Sequence, residues 1–364
     1  MSAVRILQVV NYMDRGGLET MLMNYYRHID RSKIQFDFLV HRNKVAQYDH
    51  EIAQLGGRIY HMPRLNPLSL SYHKKEMDFF QTHKYSVVHC HMDCMSAFPL
   101  FHAKSAGVPV RIAHSHSSSQ NKDLKYPVKL LCKQLIPHSA TQLFACSEDA
   151  GHFMFGNHHF QIMRNAIELK KFLFNSDVRA EVRKELEIQD EVVLGNVATL
   201  KPVKNQLFLL EVFSEYHKMN PNSKLLLVGE GPSRKNIEEK VKNLGLQGRA
   251  ILTGVRSDVH RLLQAMDVFV FPSLFEGLPV TMVEAQAAGL PCVISDTVPN
   301  ETDITDLVTR VSLKAPLQQW ISAIDVASKT TRADQSVQIK RSGFDIEENA
   351  KWLENFYLKV SENG

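Results

Sequence analysis

The sequence predicts an α/β protein made of two Rossmann-like domains, each a doubly wound parallel sheet. Short apolar runs alternate with amphipathic segments along the first half of the chain, and the alternation restarts near residue 191. Such alternation with short loops is typical of parallel strands flanked by helices. The length of 364 residues suits two domains of ordinary size.

The composition is that of a globular protein with a large core. Hydrophobic residues make up 44% of the chain and charged residues 23%, with a net charge of +4. This weak positive balance does not favour nucleic-acid binding. Five cysteines, an odd number mostly in apolar surroundings, indicate reduced thiols. With no signal peptide and no apolar run of ~20 residues, we expect a cytoplasmic protein, with peripheral membrane contact left open.

The first strand is predicted at Val4 to Val10, an almost continuous apolar run typical of a strand buried on both faces. Gly16 and Gly17 follow, and then a helix over 21–29. Glycine can take positive φ and allows close approach of a ligand, so this turn is a weak candidate for a phosphate-binding loop. A simple tight turn between strand and helix explains it equally well.

The alternation continues to residue 166 and is then interrupted. Further strands are predicted at 34–40, 58–62, 85–90, 108–113 and 142–146, and helices at 47–55, 72–83, 97–106 and 147–155. The polar segment 168–190 is expected to be the boundary between the domains, because it lacks the apolar runs of the sheet.

Histidines are concentrated in the first half, where 15 of the 17 precede residue 160. Two His-x-His pairs, His89/His91 and His114/His116, fall at predicted strand ends. Residues two apart in a strand face the same way, so each pair could present two imidazoles at the carboxyl edge of a sheet. A metal site, contact with a substrate and histidines bonded to the backbone all remain open. We favour the last for His89 and His91, and function for His114 and His116.

The segment from Asn121 to His138 (NKDLKYPVKLLCKQLIPH) combines lysines with apolar residues at helical spacing. Five residues form the apolar stripe: Leu124, Val128, Leu131, Cys132 and Leu135. A basic amphipathic helix of this kind can lie on an anionic membrane surface. Alternatively, its apolar face packs on its own domain, which is the interpretation that we slightly favour.

The second half repeats the pattern of strands and helices. Strands are predicted at 191–199, 223–228, 250–253, 267–271 and 291–295, and helices at 206–219, 233–244, 259–265 and 344–362. A basic loop from Lys201 to Asn205 precedes the first of these helices.

The most informative stretch runs from Phe271 to Gly289, FPSLFEGLPVTMVEAQAAG. It predicts a strand end, a tight loop and a helix with Pro279 in the first position and Gly289 as its stop. A helix N-terminus suits a phosphate, whereas the carboxylates of Glu276 and Glu284 suit hydroxyl groups. Phosphate flanked by hydroxyls describes a sugar nucleotide.

Several motifs identify the family that the chain resembles. MDRGGLETMLMNYYR, AGVPVRIAHSHSS, CSEDAGHFMFG and above all DVFVFPSLFEGLPVTMVEAQAAGLPCVISD resemble the glycosyltransferase family 4 enzymes of the two-domain GT-B type, over nearly the whole chain. Among them the chain is most similar to EpsF-type exopolysaccharide and capsule glycosyltransferases.

The resemblance implies a two-domain fold in which each domain binds a different substrate. An acceptor-binding domain would span 1–166 together with the final helix at 344–364, which crosses back to it. A domain for the nucleotide sugar would span 167–343, and the two would face a central cleft. The resemblance also implies retention at the anomeric carbon through front-face attack, with a UDP-sugar as the donor and a saccharide or lipid-linked acceptor.

The resemblance assigns roles to individual residues of the second domain. Glu284 would bind the ribose hydroxyls, Glu276 the donor sugar, and Lys204 the diphosphate. The diphosphate and sugar would be held by backbone N–H groups of the segment Gly277, Leu278, Pro279, Val280 and Thr281. Within this segment, Pro279 has no N–H to donate. The chemistry would need no metal ion and no cofactor, because no DxD motif of the GT-A type stands in a suitable place.

In the first domain the resemblance assigns Gly16 and Gly17 to the glycine loop near the diphosphate and acceptor. The histidine of the catalytic region would be His116 or His114, and we favour His116. One residue departs from the family pattern, because Thr199 stands where an arginine partners the lysine on the diphosphate. This departure keeps an alternative open, a weakened or non-catalytic partner subunit of another glycosyltransferase.

Overall fold

A computed structural model describes residues 3–14, 16–119 and 126–362. The chain divides into two compact units, residues 1–166 with 345–364, and residues 167–344. Each unit has its own parallel sheet and its own hydrophobic core, so the two are described separately.

The first unit contains a seven-stranded sheet in the order β3-β2-β1-β4-β5-β6-β7. All of its strand pairs are parallel. The strands are β1 (Val4–Val10), β2 (Ile34–Val40), β3 (Ile59–His61), β4 (Val87–Cys90), β5 (Val110–Ser115), β6 (Gln142–Ala145) and β7 (Gln161–Ile162). The central strands are buried along most of their length because helices cover both faces of the sheet.

The helices of the first unit form the two outer layers. They are α1 (Gly17–His28), α2 (Asp49–Gln54), α3 (Leu70–Thr82), α4 (Ala97–Ser105), α5 (Tyr126–Ser139), α6 (Glu148–Phe155) and, from the end of the chain, α15 (Ile346–Glu362). Helix α15 buries Leu353 and Tyr357 in the same core as residues of α1, β1 and β2. The prediction that the final helix returns to the first domain is therefore confirmed.

The second unit contains a six-stranded parallel sheet in the order β10-β9-β8-β11-β12-β13. Its strands are β8 (Val192–Val197), β9 (Ser223–Val228), β10 (Ala250–Leu252), β11 (Val268–Phe271), β12 (Cys292–Ser295) and β13 (Val308–Val311). Its helices are α7 (Leu169–Phe172), α8 (Ser176–Glu185), α9 (Gln206–Met219), α10 (Arg234–Asn243), α11 (Val259–Ala265), α12 (Val280–Ala287), α13 (Leu317–Ser328) and α14 (Ser336–Arg341). The predicted fold class, two doubly wound Rossmann-like sheets, is confirmed.

Residues 168–190, which we expected to be the boundary between the domains, are folded as part of the second unit, which begins at Ile167. This segment forms α7 and α8, which belong to the second unit. Val182 is buried, and Arg179 and Arg183 form ion pairs with Asp267 at the start of β11. The polar composition was misleading because the arginines of α8 are not solvated. They bind a carboxylate and backbone carbonyl oxygens of the second unit.

Candidate functional site

The second unit reverses its strand order between β8 and β11, which pair directly. In open parallel sheets, ligands bind beyond the carboxyl ends of the strands at such a reversal. The loop after β8 contains Thr199 and Lys204, and the loop after β11 contains Glu276. The topology therefore brings together residues that are more than 70 positions apart in sequence.

Lys204 and Glu276 form the central ion pair of this site. The Lys204 Nζ donates to Glu276 Oε1 at 2.6 Å and to Oε2 at 2.7 Å. The Glu276 side chain is 7% exposed and that of Lys204 20%. Ser273 also donates its hydroxyl to Glu276 Oε1 and approaches the Val203 carbonyl oxygen at 3.1 Å. The pair is therefore a fixed, largely desolvated charge arrangement that crosses from one loop to the other.

The N-terminus of α12 lies directly after Glu276. The helix begins at Val280, and Pro279 is its cap residue with extended backbone, so the predicted start at Pro279 is one position early. Gly277 and Leu278 are partly exposed in the loop, and Thr281 is partly exposed in the first turn. First-turn N–H groups of a helix lack intrahelical acceptors, so this end of α12 can receive an anion.

Gly289 ends α12 as predicted. Its φ of +67° lies in the left-handed region, which glycine adopts without steric cost. The Gly289 N–H donates to the Gln286 carbonyl oxygen at 2.9 Å, and β12 begins three residues later. The turn therefore fixes the direction of the helix that carries Glu284.

Glu284 lies in α12, four residues after Val280 and so on the same face of the helix. Its side chain is partly buried. Burial raises the pKa of the Glu284 carboxyl to about 7. No hydrogen bond to this carboxyl is found within residues 3–14, 16–119 and 126–362. A desolvated carboxylate of this kind is suited to accept hydrogen bonds from ligand hydroxyls.

Thr199 is exposed and provides backbone rather than side-chain contacts. Its carbonyl oxygen accepts from the Gln206 Nε2 at 3.1 Å and from the Lys201 N–H at 2.9 Å. Gly229 packs closely against the backbone of the segment that contains Thr199. A side chain at position 229 would meet the Ala198 carbonyl oxygen. The side chain of Lys201 is exposed, so both positions can reach solvent at this edge of the sheet.

The glycine turn of the first unit also follows a strand at a reversal of strand order, between β1 and β4. Helix α1 begins at Gly17, and Gly16 caps it with extended backbone at φ −141°. Neither glycine adopts positive φ. A Cβ at Gly16 would meet the end of the Glu19 side chain, which can rotate away, and Gly17 has open space, so packing requires glycine at neither position.

The four histidines of the two pairs converge on one face of the first sheet. Their ring centroids lie 4.2 Å apart for His89 and His91 and 4.0 Å apart for His114 and His116. Across the two strands, His89 and His91 lie 5.2 and 5.1 Å from His114. The inference that residues two apart share a face is therefore confirmed, and the pairing of β4 with β5 joins the pairs.

Three of these histidines, His89, His91 and His116, are bonded to side chains rather than to the backbone. His91 Nδ1 lies 3.0 Å from His116 Nε2, and His91 Nε2 lies 2.9 Å from Gln8 Oε1. His89 Nδ1 lies 2.6 Å from Tyr357 Oη. Burial lowers the pKa of His116 to about 3 and that of the other three rings well below the ordinary value, so all four are neutral at pH 7. The backbone-bonded interpretation of His89 and His91 is wrong.

The Asp93 carboxylate supports the strand ends beside the histidines. It accepts from the His116 backbone N–H at 3.2 Å and from the Ser117 hydroxyl at 3.1 Å. Asp93 adopts a φ of +47°, which is uncommon for a residue other than glycine. Burial raises its pKa. It also lines a cavity of about 310 Å³ together with Cys94, Lys129 and others.

Helix α5 buries one residue of the predicted apolar stripe, Cys132, and exposes three others. Val128, Leu131 and Leu135 are 43%, 57% and 46% exposed, whereas Cys132 and Ile136 are buried. The preferred interpretation, an apolar stripe packed on its own domain, is therefore wrong for these three residues. Residues 121–125 of the predicted helix, including Leu124, lie outside the described residues. No helix in the described part of the chain is both long and apolar enough to cross a membrane.

Ser273, Gln8 and Tyr357 were missed by sequence reasoning. Ser273 could have been suspected, because it stands three residues before Glu276 in the same tight loop. Gln8 and Tyr357 donate and accept across a separation of 349 positions, for which the sequence carries no local signal.

Two family models match the chain, one in each unit. The model described as "Glycosyl transferase 4-like domain" matches residues 16–155, and "Glycosyl transferases group 1" matches residues 178–336. Both matches contain residues of the candidate site.

Similar proteins match along nearly the whole chain. EpsF of Bacillus subtilis (strain 168), named as a glycosyltransferase, is 38% identical over 372 positions that cover 98% of this chain and 97% of EpsF. CapH of Staphylococcus aureus, named as a capsular polysaccharide biosynthesis glycosyltransferase, is 23% identical over 371 positions, covering 98% and 99%. The solved structure of HepE from Anabaena with UDP and glucose has a TM-score of 0.73 at 16% identity, covering 99% of this chain and 98% of that one.

Proposed function

Because this chain belongs to the EpsF-type glycosyltransferases of family 4, which have the GT-B fold, we propose that it transfers a hexose-type sugar. The proposed donor is a UDP-sugar, and the proposed acceptor is a saccharide or a lipid-linked molecule. The observation that carries this proposal is the convergence of Lys204, Glu276 and the α12 N-terminus with Glu284 at one strand-order reversal. A cation and free N–H groups suit a diphosphate, and two carboxylates suit hydroxyls.

Each part of the donor has a complementary group in this unit. The half-buried carboxylate of Glu284 accepts hydrogen bonds from the ribose hydroxyls. The first turn of α12 and Lys204 receive the diphosphate, and Glu276 orients the sugar. Lys204 already holds both oxygens of Glu276, so donor binding makes the diphosphate and Glu276 share one ammonium group. Its three N–H donors allow this.

The proposed reaction is transfer with retention of the anomeric configuration. The bond from the sugar C1 to the diphosphate oxygen breaks, a bond to the acceptor oxygen forms on the same face, and the acceptor proton leaves with the diphosphate. Lys204 and the α12 N-terminus stabilise the charge that develops on the leaving diphosphate. No metal ion is needed in this scheme, because protein cations and N–H groups supply the stabilisation.

The biological setting that we propose is synthesis of a cell-surface or extracellular polysaccharide. Its support is the similarity to CapH, whose name places that protein in capsular polysaccharide biosynthesis. A galactosyltransferase of Escherichia coli that is 29% identical over 58% of this chain is named for a diphosphoundecaprenol-linked acceptor. That name supports a lipid-linked acceptor for this chain.

The donor proposal is tested by thermal unfolding of the purified chain with UDP, UDP-glucose, UDP-galactose, UDP-N-acetylglucosamine and GDP. A ligand that binds the native state raises the midpoint by mass action. We expect a shift with UDP, a larger one with one UDP-sugar, and a reduced shift in Glu276→Gln for the sugar nucleotide. The control is Glu239→Gln on the exposed surface of α10. No shift with any of these nucleotides would contradict the proposal.

Thr199 favours a second candidate, a weakened or non-catalytic partner subunit. The residue is exposed at the edge where the family arginine would meet the diphosphate, and a hydroxyl carries no charge. Nucleotide binding without release of free UDP from any UDP-sugar, with or without acceptor, would support this candidate. Release of UDP by the purified chain alone would exclude it.

We also propose that α5 contacts an anionic membrane surface from the cytoplasmic side. Leu131 and Leu135 expose apolar surface, and Lys133 of the same helix lies over the Phe153 ring at 4.0 Å. Phe101 of α4, the helix that packs against α5, is 56% exposed. Exposed apolar side chains on a helix can insert at a membrane interface, and lysines elsewhere on the same helix add attraction to anionic lipid.

Sedimentation with vesicles tests this contact. We expect binding to vesicles containing phosphatidylglycerol, loss of binding in Leu131→Gln/Leu135→Gln, and no change in Val326→Gln, an equally apolar exposed residue of the second unit. Equal binding by the double variant and the unaltered chain would refute the assignment of α5.

A further inference from the structure

The histidine cluster of the first unit leaves imidazole nitrogens without protein partners. His89 and His114 are each 1% exposed. Within the described part of the chain, His89 Nε2 and both ring nitrogens of His114 are buried without a hydrogen-bond partner. A neutral imidazole carries one donor and one acceptor, and burying either unpaired is unfavourable. Packing alone therefore does not explain why these positions are histidine.

The nitrogens that are bonded fix the orientation of the rings. His89 Nδ1 is paired with Tyr357 Oη at 2.6 Å. His91 Nε2 faces Gln8 Oε1 at 2.9 Å, so it carries the proton and leaves the lone pair on Nδ1. Metal-binding histidines are held in this way, because an outer partner on one nitrogen sets the tautomer and direction of the other.

One ring nitrogen from each of His89, His91 and His114 lies within 4.8 Å of the other two. We propose that these three histidines bind a transition-metal dication of the Zn²⁺ class. His116 Nε2 lies 3.0 Å from His91 Nδ1 and is placed to take a fourth position.

The chemistry of the donors selects the class of ion. Imidazole nitrogens without carboxylate oxygens suit Zn²⁺, Cu²⁺ or Ni²⁺ and not Mg²⁺ or Ca²⁺. All three rings are buried, and their nitrogens are close enough together to face one ion. Nitrogens around tetrahedral zinc stand about 3.4 Å apart for bonds of about 2.1 Å, so binding draws the three rings together.

The proposed ion has a structural role. It connects β4 to β5 and, through the Tyr357 hydroxyl, connects both strands to α15. It would not replace Lys204 in the transfer reaction, and the inference does not rest on the proposed donor. Zinc binding is measured without donor or acceptor, so its failure can be distinguished from a failure of sugar transfer.

The test uses the full chain without a histidine tag, stripped with a chelator and titrated with ZnCl₂ by calorimetry. We expect one Zn²⁺ per chain and an unfolding midpoint that rises by several degrees at about 100 times the dissociation constant. Loading with Co²⁺ should give the intense visible absorption of a tetrahedral nitrogen site. The control His158→Ala, an exposed histidine of the same unit, should keep all of these responses.

Two variants distinguish metal binding from a requirement for folding. His114→Leu should lose the zinc-dependent rise while its metal-free midpoint stays at or above that of the unaltered chain, because leucine leaves no polar atom unpaired. Tyr357→Phe keeps all three ligands and should weaken zinc binding by roughly 10- to 100-fold. Absence of stoichiometric binding, or unchanged binding in His114→Leu or in Tyr357→Phe, would overturn the proposal.

Discussion

Replacing Glu284 by glutamine should stabilise the folded chain and weaken donor binding, and both effects should depend on pH. Burial raises the pKa of this carboxyl from 4.5 to about 7. An acid with a raised pKa contributes stability that is fully present below 4.5 and is lost as the pH rises through about 7. Glutamine has the same shape and stays neutral, so it avoids that loss.

The pKa difference sets the size of the effect. About 2.5 pKa units at about 1.4 kcal/mol each give roughly 3 kcal/mol, which is an upper bound because the side chain is only partly buried. The variant should therefore exceed the unaltered chain in free energy of unfolding by up to about 3 kcal/mol at pH 8, and by nearly nothing below pH 4.5. Urea unfolding at pH 5, 6, 7 and 8 measures the difference, with Glu239→Gln as control.

Donor binding should show the opposite dependence. The ionised carboxylate accepts ribose hydroxyls, and its population with a pKa of about 7 falls from about 90% at pH 8 to about 10% at pH 6. The affinity of the unaltered chain for UDP should thus fall about tenfold over this range, with proton release on binding at pH 6. A stability difference that is the same at pH 5 and pH 8, or an affinity for UDP that Glu284→Gln leaves unchanged, would refute the reasoning.

Other predictions follow from neighbouring contacts. Lys204→Met should lower UDP affinity roughly 10- to 100-fold in calorimetry, because it removes a charge-assisted contact with the diphosphate; equal affinity would show that Lys204 serves Glu276 alone. Thr199→Arg should raise UDP affinity and the rate of UDP release by about tenfold or more, measured by a coupled assay, and Thr199→Gln, long but uncharged, should not. Glu76→Gln should lower the free energy of unfolding by about 3 kcal/mol in urea, because Glu76 is fully buried and accepts from Tyr72 at 2.8 Å and His102 at 2.7 Å.

Most of the fold could be predicted from the sequence, because apolar runs bounded by turns are typical of buried parallel strands. Val4–Val10, Ile34–Val40 and Ser223–Val228 were predicted to the residue. The region 296–343 yielded no prediction, although it forms β13, α13 and α14. Strand β13 is a short edge strand with only Val311 buried, so it lacks the continuous apolar signal of a central strand.

The site was predictable as a set of residues and not as a set of contacts. Motif spacing singled out Lys204, Glu276 and Glu284, but the ion pair of the first two depends on β8 lying beside β11. On α5, helical periodicity could not decide between inner and outer faces, because both carry apolar residues. Tertiary packing made those choices.

The first unit is completed by residues from both ends of the chain. Strand β1 is synthesised first, whereas α15, which packs in the same core as β1 and β2, is synthesised only after the whole second unit. At 5–20 residues per second, the ribosome takes roughly 10 to 40 s to add the intervening second unit. During that interval the apolar face of the nascent sheet lacks the helix that will cover it. The second unit is encoded without interruption, so it can finish folding before the first unit is complete.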